Sequence, residues 1–241
     1  TVLSNPLQGL VDQSRRAELV DKASMALNRM AREIRLAVPN SLTATGTTLN
    51  LLPIAAAGRY RANQPNGAGP RQDTPQCTQT GPACSIELLS PLTASATPHW
   101  LIIYNTAVAE LGSTASPSVI SPKSFTWTTS TLSANLQNFR FKYASPQHRF
   151  YLAREVVSYR CAGAGLDPAG TGQGKLWRDS SANLDGSSAS QALLVDGLSS
   201  CAFDYAVATN TRSGLVTLRL TLAEAGETIT LLQQVHVDNA P

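Results

Sequence analysis

The chain has 241 residues, 42 % of them apolar and 15 % charged, with a formal net charge of +3. That charge is too thin over this length for a dedicated nucleic-acid protein, which carries a dense basic stripe. No run of about 18 apolar residues is present to cross a membrane as a helix. Hydroxyls take the place of the missing charge, with 24 Ser and 23 Thr, and the apolar share suffices for a real core.

The sequence opens at Thr1 without Met or signal peptide, and so reads as a processed or truncated form. The first periodic segment runs from about Gln13 to Val38. Val20, Ala23, Leu27, Met30, Ile34 and Ala37 recur at spacings of three and four, which places them on one face of a helix. The opposite face carries Arg15, Arg16, Asp21, Lys22, Arg29, Arg32 and Arg35. Ser14 is the expected N-cap, and Pro39 forbids continuation past Val38.

After Pro39 the pattern changes to strands and loops. Thr47 to Ile54, Ser85 to Leu89, Trp100 to Val108 and Phe125 to Thr129 are apolar or β-branched and bounded by Pro, Gly or Ser. Asn138 to Tyr143, His148 to Cys161 and Cys201 to Ala208 are further strands. At the end, Val216, Leu218, Leu220 and Leu222 alternate with polar residues. After Glu224-Ala225-Gly226-Glu227 the alternation resumes from Thr228 to Val237, which predicts an antiparallel hairpin. Two stretches read as long surface loops, Arg61 to Ala83 and Ala162 to Ser190. The expected fold is α+β: one long N-terminal helix laid on one or two antiparallel sheets, with disulfide-bearing loops, as a single domain over residues 1–241.

Four cysteines, Cys77, Cys84, Cys161 and Cys201, allow three full pairings. Cys77 and Cys84 bracket a short loop holding Gly81 and Pro82, which suggests a local staple and leaves Cys161 with Cys201. Such bridges contribute about 2.5 and 4 kcal/mol by the chain-entropy relation, and imply an oxidising compartment. Zinc is disfavoured, because His99, His148 and His236 do not lie beside any Cys at ligand spacing.

Motifs for catalysis are absent. There is no H-E-x-x-H and no G-x-S-x-G elbow. Gly170-Thr171-Gly172-Gln173-Gly174-Lys175 fails as a phosphate loop, because Ala169 stands where its first Gly belongs and Leu176 where a Ser or Thr would hold magnesium. It reads as a flexible loop. The three histidines are expected at surfaces or strand edges, and Asp179 to Asp185 offers at best a weak calcium site. No catalytic, cofactor or metal residue is singled out. Trp100 and Trp127 read as core, whereas Trp177, flanked by Lys175 and Arg178 in the polar loop, is a candidate ligand or interface residue.

The helix and its flanks resemble a known family. Asn5-Pro6-Leu7-Gln8-Gly9-Leu10-Val11-Asp12, Arg15-Arg16-Ala17-Glu18-Leu19, and the run Ala26 to Arg35 ending Pro39-Asn40-Ser41 are similar to the periplasmic helix of type IV minor pilins and pseudopilins, those of MSHA pilus biogenesis above all. Gly58-Arg59-Tyr60-Arg61-Ala62, His148-Arg149-Phe150-Tyr151-Leu152, Ser158-Tyr159-Arg160-Cys161 and Leu231 to Asn239 resemble later landmarks of that family. The resemblance implies a subunit that primes pilus assembly and sits at the tip with other minor pilins and the major pilin. It implies a periplasmic globular part and an inner-membrane anchor before assembly. The family's Gly-Phe-Thr-Leu-x-Glu-like processing site and apolar half-helix are missing from this chain. On that reading Leu7, Leu10, Val11 and Leu19 pack against neighbouring helices, while Arg15, Arg16, Glu18 and Asp21 set the register. Two alternatives are a tip adhesin whose long loops contact a surface glycan or receptor, and a J-type pseudopilin of type II secretion.

Overall fold

The structure, a computed structural model, describes residues 4–62, 70–77, 84–207 and 213–241, with side chains from residue 8 onward. The elements are helix α1 (Ser4–Arg35) and fifteen strands. The first are β1 (Thr43–Thr45), β2 (Thr48–Leu51), β3 (Ala56–Arg59), β4 (Gln76–Cys77) and β5 (Cys84–Glu87). Then come β6 (Ser95–Ile102), a 3-10 turn (Val108–Gly112), β7 (Phe125–Trp127), β8 (Thr131–Ala134), β9 (Phe139–Arg140) and β10 (Arg149–Ala153). The last are β11 (Val156–Ala162), β12 (Gly174–Ser181), β13 (Ser190–Ala206), β14 (Gly214–Glu224) and β15 (Glu227–Val237). The chain divides into two compact units, one of Thr1–Leu36, Leu42–Leu51 and Val156–Asp238, the other of Ala37–Ser41, Leu52–Glu155 and Asn239–Pro241.

Helix α1 is longer at its start than the periodicity predicts. Pro6 falls in the first turn, where a missing N–H costs no hydrogen bond, so the helix begins at Ser4 rather than Gln13. Ser14 therefore lies inside the helix and is not its cap. The other end comes earlier than Val38. Leu36 N–H closes the last turn on the Arg32 and Glu33 carbonyls at 3.3 and 3.1 Å, and Arg32 and Arg35 meet the negative end of the helix dipole. Val38 N–H instead donates to Leu52 O at 2.8 Å.

In the first unit a seven-stranded antiparallel sheet runs in the order β1-β2-β11-β12-β13-β14-β15. Helix α1 lies on β13, β14 and β15. It buries Leu19, Ala23, Ala26, Leu27, Met30, Ala31 and Ile34, a stripe rotated slightly from the predicted one, so that Val20 is only half-buried. The facing strand supplies Val216, Leu218, Leu220 and Leu222, all inaccessible to solvent. The β14–β15 hairpin has the predicted register, pairing Leu220 with Leu231 and Glu224 with Glu227. Ala225 and Gly226 at its tip take φ of 48° and 86°, the left-handed pair of a tight hairpin turn.

The stretch Ala162 to Ser190 is not a long loop. It holds β12, a central strand, and leads into the 17-residue β13, of which the sequence reading has only the part from Cys201. The first half of β13 pairs with β12 and its second half with β14, across bulges. The turn after β1 folds back on β13: Phe203 N–H donates to Gly46 O at 2.6 Å. The sheet thus curls, and the Cys161–Cys201 disulfide joins β11 to β13, which are not neighbours in the sheet order.

The second unit holds a six-stranded antiparallel sheet in the order β3-β10-β6-β7-β8-β5. Its two edges meet, because Arg61 N–H donates to Glu87 O at 2.8 Å and Leu89 N–H to Arg59 O at 2.9 Å around a Tyr60–Leu88 bridge. Tyr60, Ile86, Leu101, Phe125, Trp127, Leu132, Phe150 and Leu152 fill the resulting core. Gly58 packs closely there, since a Cβ at this position would lie 3.0 Å from the Phe150 ring. The predicted single strand His148 to Cys161 is in fact β10 and β11, parted at Arg154–Glu155 into different sheets. The disulfide Cys77–Cys84 joins β4 to β5, and β4 pairs with β9. Both disulfides are those expected, which leaves no free cysteine.

Candidate assembly helix and its surroundings

Helix α1 is two different surfaces in succession. From Gln8 to Glu18 every residue is exposed except the half-buried Arg15, and burial begins at Leu19. Leu10 is 63 % and Val11 55 % exposed, so two of the predicted apolar interface residues stand in solvent. The side chain of Leu7 lies outside the described residues. Leu19 is 2 % exposed, in the core of its own unit, and cannot also face a neighbouring helix. It falls on the first turn at which the helix meets the sheet, which a periodicity argument cannot locate.

The charges of this half pair locally. Arg15 reaches Asp12 at 3.4 Å, and Lys22 reaches Glu18 at 3.1 Å, a hydrogen bond that holds the lysine above its usual pKa. Arg16 reaches Glu227 at 3.4 Å and ties the helix to the β14–β15 turn. Asp21 makes no ion pair among the described residues. Nearer the C-terminal end, Glu33 accepts from Arg178 Nε on both oxygens, at 3.0 and 3.1 Å, with Arg29 at 3.7 Å. The hydroxyl of Tyr159, buried beside them, has its pKa pushed up by burial and by the Glu33 carboxylate.

That pairing corrects the Lys175–Trp177–Arg178 expectation. The three are on β12, not on a loop, and Arg178 has a side chain only 13 % exposed and turned to Glu33. Trp177 is half-buried opposite Arg160, and Lys175 is exposed opposite Asp196. Arg178 is thus committed to Glu33 and does not stand beside Lys175 and Trp177 as an open donor. Glu33 is the residue that the sequence reading passes over; its signal is a carboxylate on the flank of an otherwise apolar stripe.

The glycine-rich run is braced rather than flexible. Asp167 Oδ1 accepts from Ala169 and Thr171 N–H, Gly172 N–H donates to Ala223 O at 2.8 Å, and Gly226 N–H donates to Gly170 O at 3.1 Å. A Cβ on Gly172 would lie 2.1 Å from the Gly197 carbonyl oxygen, so the backbones touch only because no side chain intervenes. Beside this brace lies a cavity of about 320 Å³, bounded by Leu19, Lys22, Gln173, Lys175, Asp196 and Glu224. Its charges are mixed, two lysines standing with two carboxylates, and Thr171 also lines it.

The histidines are scattered. His99 is buried on β6, an inner strand of its sheet, contrary to the surface or strand-edge position expected of it. Its Nδ1 is 2.7 Å from Thr97 O, its ring meets Trp127 edge-on at 4.7 Å, and burial lowers its pKa. His148 stacks on Tyr60 at 5.1 Å and reaches Asp73 at 3.0 Å, whereas His236 is exposed on β15. Asp179 is held by Arg160 at 3.0 Å, and Asp185 by the N–H of Ser187 at 2.9 Å. Among the described residues no group of three metal-ligating side chains assembles, and no helix is long and apolar enough to cross a membrane. Much of the predicted loop Arg61 to Ala83, at 63–69 and 78–83, lies outside the described residues.

The chain matches no family model, no curated protein and no solved structure.

Proposed function

We propose that the chain is the globular part of a type IV minor pilin or pseudopilin, of MSHA type, that primes and caps a pilus. One observation carries the reading: a single helix that is exposed from Gln8 to Glu18 and buried on its own antiparallel sheet from Leu19 to Ile34. A helix used only for its own fold has no reason to extend about three turns past the surface that it covers. Leu10 and Val11 supply apolar area for packing on other subunits' helices, at about 25 cal/mol per Å² buried. Arg16, Glu18 and Asp21 surround that area with charges of both signs, which discriminate register more than they add affinity.

On this reading the two halves divide the labour. The buried half fixes the helix to its sheet, and Arg16–Glu227 and Arg178–Glu33 hold its angle. The exposed half is presented to other minor pilins and the major pilin, in the periplasm and then at the pilus tip. An anchor preceding Thr1 belongs to the proposal. The adhesin alternative loses one of its two loops, since residues 174–181 are a sheet strand.

A photo-crosslinking residue at Leu10 tests the reading. In cells that make the pilus it should form adducts with other pilin subunits, whereas the same probe at Ala202, exposed on β13, should not. Adducts with the components of a type II secretion machine would assign the chain to that system instead, and no adduct from Leu10 would remove the helix interface.

A further inference from the structure

We propose that Arg59 and Arg149 form a binding site for a phosphate-type oxyanion, on the outer face of the second unit's sheet and independent of the pilin reading. The two landmarks Gly58-Arg59-Tyr60-Arg61 and His148-Arg149-Phe150 meet across β3 and β10, with Arg59 directly opposite Arg149. Tyr60 N–H donates to His148 O at 2.8 Å, which makes 60 and 148 a hydrogen-bonded pair. The next pair, Arg59 with Arg149, is therefore of the kind in which opposed side chains approach most closely. Tyr60 and Phe150 point into the core, so the alternation turns both arginines outward.

Like charges directly opposed on a sheet are destabilising. The structure offers neither of them relief, because no hydrogen bond or ion pair reaches either guanidinium among the described residues. The neighbouring carboxylates are committed elsewhere. Glu87 is shared by Arg61 at 3.3 Å and Arg71 at 3.1 Å, which hold its carboxyl below the usual range. Asp73 is bound by His148 at 3.0 Å and by the Tyr60 hydroxyl at 2.8 Å. Residues 1–3, 63–69, 78–83 and 208–212 contain no Asp or Glu that could serve instead. Two planar forks with uncommitted donors, beside two further arginines that share one carboxylate, match a doubly charged tetrahedral group. A phosphomonoester carries about −1.5 to −2 at pH 7. Free phosphate and the terminal phosphate of a lipid headgroup present the same chemistry.

The test titrates the whole chain with inorganic phosphate at constant ionic strength and follows arginine Nε–H resonances by NMR. A saturable shift of the Arg59 and Arg149 signals is expected, with affinity reduced about tenfold or more in Arg149→Gln, the loss of a charge-assisted bond. Arg59→Gln, at the more exposed position, should remove the same response and raise the melting temperature in phosphate-free buffer, because it ends the repulsion. Arginine-dependent retention on vesicles containing phosphatidic acid, and not on phosphatidylcholine alone, assigns the headgroup as the source. Phosphate binding without such retention assigns the free ion. A shift reproduced by chloride at equal ionic strength, or unaltered in both variants, overturns the site.

Discussion

Glu33 and Arg178 show how much one residue pair can carry. Both side chains are largely withdrawn from water, and the carboxylate accepts from the guanidinium on both oxygens. Removing one partner leaves the other desolvated without compensation, the expensive way to break such a pair. Glu33→Ala should therefore lower the unfolding free energy by about 2–4 kcal/mol, read from urea denaturation. His99 sets a pH dependence. Burial, reinforced by the nearby charges of Arg154 and Lys123, lowers its folded pKa, so the unfolded chain takes up the proton first as pH falls. Stability should decline as pH drops below about 6.5, level off below the folded pKa, and lose this slope in His99→Gln. Neither effect was legible in the sequence. Glu33 is one more charge on a charged helix until Arg178 arrives from β12, and His99 is buried by strands distant in the chain.

At the scale of elements, legibility follows locality. The β14–β15 hairpin was readable because strict alternation and an Ala-Gly turn specify it within 24 residues. The body of α1 was readable for the same reason, though its start was not, because Pro6 is as compatible with a first turn as with a break. β12 was not readable. It is flanked by glycine, mixes Lys, Trp, Arg and Asp, and is recruited by partners on both sides rather than by its own pattern. Two outcomes test this level. Gly172→Ala should destabilise by about 1–3 kcal/mol, because its Cβ meets a carbonyl that cannot retreat without moving β13. Replacing Cys161 and Cys201 by serine should cost about 4 kcal/mol against about 2.5 for the Cys77–Cys84 pair, since the first bridge closes the longer segment. Paired denaturation curves of the two double variants give that order directly; the reverse order would show that the chain-entropy account does not govern these bridges.

For the whole molecule, the division of the chain into two units was hidden because no single linker separates them; the chain passes between them near residues 36, 41, 51, 155 and 238. The α+β class was legible from one helical period followed by many short extended runs. The function proposed here needs only the first unit's helix. Its central claim is that residues 8–18 are kept out of the fold in order to be covered by other subunits. The direct measurement is the number of pili on cells that carry Leu10→Asp together with Val11→Asp, set beside the melting temperature of the same purified variant. The account predicts that pili are lost while the melting temperature stays within about 2 °C of the native chain, because both residues are exposed. Normal piliation by a stable, correctly folded double variant would contradict it.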